Sequence, residues 1–189
     1  MRRGFKAQAE RTALRLRQEL GQSALEPIDP RALLTSLGII VWEPEDVPGL
    51  SAEHLKQLTV IDPDSWSGVT IRESGQIVIV VNPTHPITRQ ANTLMHEWAH
   101  IELRHKPNRV DRSAAGGLLL LSDYPKEQEE EADWLSGTIL LPRDGILHHY
   151  ANGYRGPEMA QHYGVSEQLA NWRIRMTGVG RQLNSRRSW

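Results

Sequence analysis

Residues 94–101 read Leu94-Met95-His96-Glu97-Trp98-Ala99-His100-Ile101. Placed on a helix, His96 and His100 stand four residues apart and project from one face, a turn apart. Two imidazoles so spaced reach one metal ion at about 2.0–2.1 Å each. Glu97 points about a quarter-turn away, where its carboxylate reaches a water on that ion without filling a coordination position. The other neighbours of the histidines are apolar, as a buried helix requires. The competing reading is a core helix whose histidines only pack or cap, and a third ligand decides between the two.

Catalytic zinc sites of this kind add one more protein ligand and leave a fourth position for water. The run Glu127-Gln128-Glu129-Glu130-Glu131-Ala132-Asp133 opens the next strong helix. The helix dipole alone favours carboxylates in a first turn, which accounts for most of these acids. Glu129 differs because Asp133 follows four residues later on the same face, placed to accept the free ring N–H of a ligating histidine. Ala132 and Ser136 continue that face with small side chains, so two helices can approach as a shared metal requires. The expected ligands are His96, His100 and Glu129, with Glu130 the second candidate for the third position. Glu97 is the expected general base and Asp133 the expected partner of a ligand histidine. Zinc suits a His/His/Glu set, although manganese or iron tolerates it.

Outward from this core, the residues before the metal helix read as a hairpin. Residues 69–72 and 77–81 are β-branched and flank Glu73-Ser74-Gly75-Gln76, with Asn82-Pro83 closing the second strand. Residues 77–81 are either a sheet edge to which a peptide adds by strand pairing or a strand covered on both sides. Helical patterns cover residues 5–20, a short stretch after Asp29-Pro30, and 87 to about 104. Residues 39–42 form a further strand, and 43–67 look irregular, with room for one helix near Ser51–Leu58. Gly116-Gly117 sits in a loop, and the apolar run 118–121 is core or a partner-binding loop. Arg89 offers a salt bridge or a contact to substrate. The order of elements predicts an α+β fold, a small antiparallel sheet packed on a metal-binding helix pair, with N- and C-terminal helices. Residues 1–142 are expected to form the metallopeptidase core, 143–177 a helical subdomain and 178–189 a basic tail.

The 189-residue chain has no cysteine, so thiolate metal sites and disulfides are excluded. Its formal net charge of −1 argues against a general nucleic-acid binder. The first twenty or so residues are charged throughout and no run is long enough for a membrane span; the cytoplasm is the expected compartment. Residues 157–175 read as helix, turn at Gly164 and second helix. They are either a DNA-binding helix-turn-helix exposing Arg173 and Arg175 or a helical pair packed through Met159, Tyr163, Leu169 and Trp172. The first reading makes the chain a DNA- or partner-binding regulator with a vestigial metal site. A third possibility is an antirepressor that sequesters its partner without cutting it. For a peptidase, the oxyanion is stabilised by Tyr124, His148, His149 or Tyr150, which the sequence leaves open.

The paired motifs resemble the gluzincin clan of zinc peptidases and, more narrowly, the ImmA/IrrE-type metallopeptidases. The likeness is carried by Asp29-Pro30 with Leu37-Gly38, by Arg89 ahead of His96-Glu97-Trp98-Ala99-His100, by Glu129 and Asp133 running into Leu140-Leu141-Pro142, and by Gly164-Val165-Ser166. It spans roughly residues 5–177, and only the metal motifs are chemically specific. Members of that family often carry asparagine where Asp133 stands. The resemblance implies a cytoplasmic zinc endopeptidase that inactivates a helix-turn-helix repressor and so relieves transcriptional repression.

Overall fold

The hairpin forms between β2 (Gly68–Glu73) and β3 (Gln76–Val81), and the sheet built on it is larger than the sequence suggests. It has five strands in the order β1-β3-β2-β5-β4, where β1 is Ile40–Trp42, β4 is Arg109–Arg112 and β5 is Leu118–Ser122. The α+β class is as expected. The sheet is mixed rather than purely antiparallel, because β1 runs parallel to β3 with Ile40 opposite Val78 and Trp42 opposite Val80. That pairing joins strands that are not neighbours in sequence, so no hairpin turn announces it. The apolar run at 118–121 is likewise strand, paired with β2.

This computed structural model describes residues 1–73, 75–112 and 118–186. Ser74 of the hairpin turn, the Gly116-Gly117 loop and the last three residues of the basic tail lie outside them. The chain divides into two compact units, Asp29–Ala132, and Met1–Ile28 together with Asp133–Trp189.

In the first unit β3 is central. Val78, Ile79, Val80 and Val81 are all buried, as a strand covered on both faces requires, and both its edges are paired. Residues 77–81 are therefore not a sheet edge, and no peptide can add to them. Helix α4 (Ile87–Glu102) lies on β2 and β3 and buries Leu94, Met95, Trp98 and Ala99. A Cβ on Gly68 would strike Thr93 Cγ2, so this glycine sets how closely β2 and α4 approach. Helix α2 (Pro30–Ser36) packs on β1 and α4. Asp29 caps it, accepting the N–H groups of Arg31 and Ala32. Between them, helix α3 (Ala52–Lys56) runs into a π-helical turn at Gln57–Ile61.

The second unit is helical: α1 (Phe5–Glu19), the C-terminal part of α5 (Lys126–Leu140), α6 (Arg143–Ala151), α7 (Gly156–Tyr163), α8 (Glu167–Thr177) and α9 (Val179–Arg186). Residues 179–186, expected as a tail, form α9, and Val179 is fully buried. Two buried arginines organise this unit. Arg17 Nη2 donates to the carbonyls of Ile139 and Leu140, and its Nη1 to those of Ser23 and Glu26. Arg173 donates from Nε to the Leu141 carbonyl and from Nη2 to Glu10. Together they occupy the orphan carbonyls at the end of α5, where Pro142 forbids further helix. Arg173 is fully buried, which removes it from any recognition surface on α8; Arg175 is exposed. Met159 and Tyr163 are buried, and Trp172 meets Trp134 edge-on at 5.3 Å. Among the described residues no helix is long and apolar enough to cross a membrane.

Candidate metal centre

Helix α4 presents His96 and His100 on one face, as their spacing predicts. Their Nε2 atoms lie 3.0 Å apart. Glu129, in the first turns of α5, brings Oε2 to 3.1 Å from His96 Nε2 and 3.7 Å from His100 Nε2. Among the described residues these three are the group that could hold a metal ion, and Glu130 is not part of it. Three donors around a tetrahedral ion at 2.0–2.1 Å stand about 3.3 Å from one another. The observed triangle brackets that value, so its size and its chemistry, two imidazoles and a carboxylate, fit zinc. Two hydrogen bonds tie the start of α5 to the segment after α4 and hold Glu129 there. The Lys106 N–H donates to Gln128 Oε1 at 2.9 Å, and the Asn108 N–H to the Asp123 carbonyl at 2.7 Å.

Glu97 sits next to this triangle. Its Oε2 accepts the hydroxyl of Thr70, a fully buried β2 residue, at 2.7 Å. Burial pushes the Glu97 carboxyl above the usual carboxylate range, while the Thr70 hydrogen bond and His96 pull the other way. One carboxylate oxygen is thus oriented by the sheet, and the other is left to handle a proton.

The back of the site comes from a helix stop. After α4, Arg104 adopts a left-handed conformation with φ 53°. The Arg104 N–H donates to the Ile101 carbonyl at 3.1 Å and the His105 N–H to the His100 carbonyl at 2.9 Å, the paired bonds of a Schellman motif. That turn folds His105 back over the preceding helical turn, where its Nδ1 lies 3.0 Å from His100 Nδ1. On its far side, His105 Nε2 is 3.6 Å from Oε2 of the buried Glu131. A chain Glu131–His105–His100 therefore backs the ligand imidazole, the arrangement by which carboxylates and bases orient metal ligands.

Thr70, His105 and Glu131 were not singled out in the sequence. Five residues beyond His100, a continuous helix would carry His105 to another face, so only the stop at Arg104 makes it a neighbour. Asp133 is an exposed residue of α5 whose carbonyl accepts the Ser136 hydroxyl; the His100 Nδ1 expected to meet its carboxylate lies 3.0 Å from His105 Nδ1. Tyr124 stacks on His100 with ring centroids 3.7 Å apart. Burial raises its phenol to about 12, with Glu97 and Glu129 adding and Arg72 opposing. His149, another of the oxyanion candidates, is buried in the helical unit with Nε2 3.2 Å from the Leu25 carbonyl. His162 converges on the same oxygen at 2.7 Å. Tyr150 lies under the Arg155 guanidinium at 4.1 Å, and His148 is exposed. Arg89 donates to the Ser67 hydroxyl at 2.8 Å.

Comparison with curated proteins returns no match. Residues 57–175 match the peptidase M78 family model, described as an IrrE N-terminal-like domain. The match covers well over half of the chain and contains His96, Glu97, His100 and Glu129. With the family's metal chemistry reflected in the donor triangle, the chain belongs to the peptidase M78 family of metallopeptidases.

Proposed function

We propose that this chain is a zinc-dependent endopeptidase that acts in the cytoplasm on a helix-turn-helix transcriptional repressor and so relieves repression. The donor triangle of His96, His100 and Glu129 with Glu97 at its side carries the catalytic part of this reading. Membership of the M78 family supports peptide-bond hydrolysis, and the resemblance to ImmA/IrrE-type enzymes supports the repressor as substrate. A structural metal site has no use for a buried, oriented carboxylate next to its ligands.

His96 Nε2, His100 Nε2 and Glu129 Oε2 would hold the zinc ion. When bound, zinc lowers the pKa of a coordinated water towards about 7 and polarises the scissile carbonyl. Glu97 takes the attacking water's proton on the oxygen not engaged by Thr70 and passes it to the leaving amine. Burial suits it to that exchange, because a carboxyl raised above its usual range is a stronger base than an exposed one. Tyr124, stacked on the His100 ring, supplies the hydroxyl that donates to the oxyanion as it forms. His105 holds the His100 ring in place through Nδ1.

Elemental analysis of chain purified without chelator tests the site. The expected result is one zinc per chain in wild type, near loss in Glu129→Ala and full retention in Glu97→Gln. Glu97→Gln should also lose cleavage of a purified repressor by about 10²–10⁴-fold. Metal-free wild type would overturn the reading, and repressor inactivation that survives Glu97→Gln would replace cutting with sequestration.

A further inference from the structure

A cavity of about 450 Å³ opens beside the metal centre, lined by His100 but not by His96 or Glu129. Arg72 and Ile77, directly paired across the β2–β3 hairpin, form one wall. Ile101 and Arg104 belong to the end of α4 and the turn after it, and His100, His105 and Tyr124 complete the lining. The volume is that of a small-ligand pocket.

Its charge is unusual for its position. Arg72 and Arg104 are both exposed, and among the described residues neither guanidinium has a hydrogen-bond or ion-pair partner. The nearby carboxylates of the site are occupied elsewhere: Glu129 with the histidines, Glu97 with Thr70, Glu131 with His105. Two guanidiniums with no such partner among the described residues thus line one cavity, together with Ile77, Ile101, His100, His105 and Tyr124.

Backbone strain supplies a second, independent observation. Among the described residues only Arg104 and Asp123 are non-glycine residues with positive φ, at 53° and 57°. Arg104 lines the cavity and Asp123 immediately precedes Tyr124, which also lines it. The position Arg104 occupies, the residue that ends a helix in the left-handed region, is where glycine carries no steric penalty. An arginine kept there at a steric cost marks a side chain with work to do, since such strain gathers at binding sites.

We infer that this cavity is a carboxylate-recognition subsite, in which Arg72 and Arg104 hold an acidic group of a peptide bound at the metal centre. The inference rests on the peptidase reading for the identity of that ligand. Guanidinium groups pair with carboxylates in bidentate geometry, and the isoleucine walls accommodate the methylenes of an acidic side chain. The carboxylate can come from a glutamate or aspartate side chain or from a peptide C-terminus, and the two sources are separable.

The test is an amide-resolved NMR titration of the zinc-supplemented full chain carrying Glu97→Gln, which reads binding and cuts nothing. The probes are an acetylated, amidated alanine peptide with one central glutamate, the same peptide with glutamine, and the glutamine peptide with a free C-terminus. The expected result is saturable shifts at Arg72, Arg104 and Tyr124 with the glutamate peptide, about tenfold weaker with the amidated glutamine peptide. Binding of the free-terminus peptide at the same amides would name the terminal carboxylate as a source. Adding Arg72→Gln or Arg104→Gln should each abolish the preference. Arg104→Gly should abolish it too while raising the melting temperature, which separates lost recognition from lost folding. Equal binding of the amidated glutamate and glutamine peptides, with no response to the free terminus, overturns the inference, as does an acidic preference that survives loss of both arginines. Because no cleavage is read, failure of the peptidase reading would leave this result standing.

Discussion

At the C-terminus of α4 the last carbonyls are bonded by the next residues of the chain, whereas at the C-terminus of α5 they are bonded by side chains from far along it. The α4 stop uses the Arg104 and His105 N–H groups, so it is local and its product is positional: it sets His105 against His100. The α5 stop uses Arg17 and Arg173, and the Arg17 bonds close over separations of 122 and 123 residues. Its product is cohesion of the helical unit. The same requirement, that orphan carbonyls find donors, is met once with a turn that serves the site and once with buried charge that serves the core.

The helical side should break hardest. Arg173→Met removes two hydrogen bonds and leaves Glu10 Oε1 and the Leu141 carbonyl without their donor. A loss of about 3 kcal/mol in urea or thermal unfolding is expected, with zinc content per folded chain unchanged. Zinc loss at unchanged stability would mean that the two helix ends do not divide the work in this way.

The α4 end should respond in the opposite sense. His105→Ala should weaken zinc affinity by about 10–100-fold in competition with a chelator and shift unfolding of the metal-free protein far less than Arg173→Met does. His105→Asn, which keeps a polar group at that position, should recover part of the affinity. An affinity untouched by either variant would reduce the Glu131–His105–His100 chain to packing.

The smallest effect concerns pH in the helical unit. Burial, reinforced by His162 and His148 and opposed by the hydrogen bond to the Leu25 carbonyl, lowers the pKa of His149 below its ordinary value. The folded protein therefore keeps that ring neutral while the unfolded chain protonates it near pH 6.5. The unfolded state binds more protons in that window, so stability is fully present above it and falls as pH drops through about 6.5. Melting curves at about pH 7.5 and 5.5 should show a smaller difference in His149→Gln than in wild type. An unchanged difference would assign the pH sensitivity elsewhere, to His85 for example, another buried histidine whose pKa is lowered.

Much of the site was legible because it depends on short periods. The spacing of His96 and His100 is a helical turn, and Glu97 follows from the same geometry. Glu129 was reachable because a catalytic metal needs one more ligand and an acidic helix start follows within thirty or so residues. The hairpin was legible from its turn and its β-branched runs. Asp133 was chosen by that same helical period, yet the partner of His100 is His105, which no period places there.

By itself, then, the sequence determined the α+β class, the helix that carries His96 and His100, the three candidate donors and the place of Glu97 beside them, each of which follows from local periodicity and ligand chemistry. Only the tertiary structure decided that β1 pairs parallel with β3, that β3 is covered on both sides and that the chain's first 28 residues group with its C-terminal helices. It alone decided that Arg173 is an internal cap, and that Arg72 and Arg104 meet at one cavity. These are contacts between residues far apart along the chain, and their free energy comes from satisfying buried carbonyls and excluding water. Neither leaves a repeating mark in the sequence.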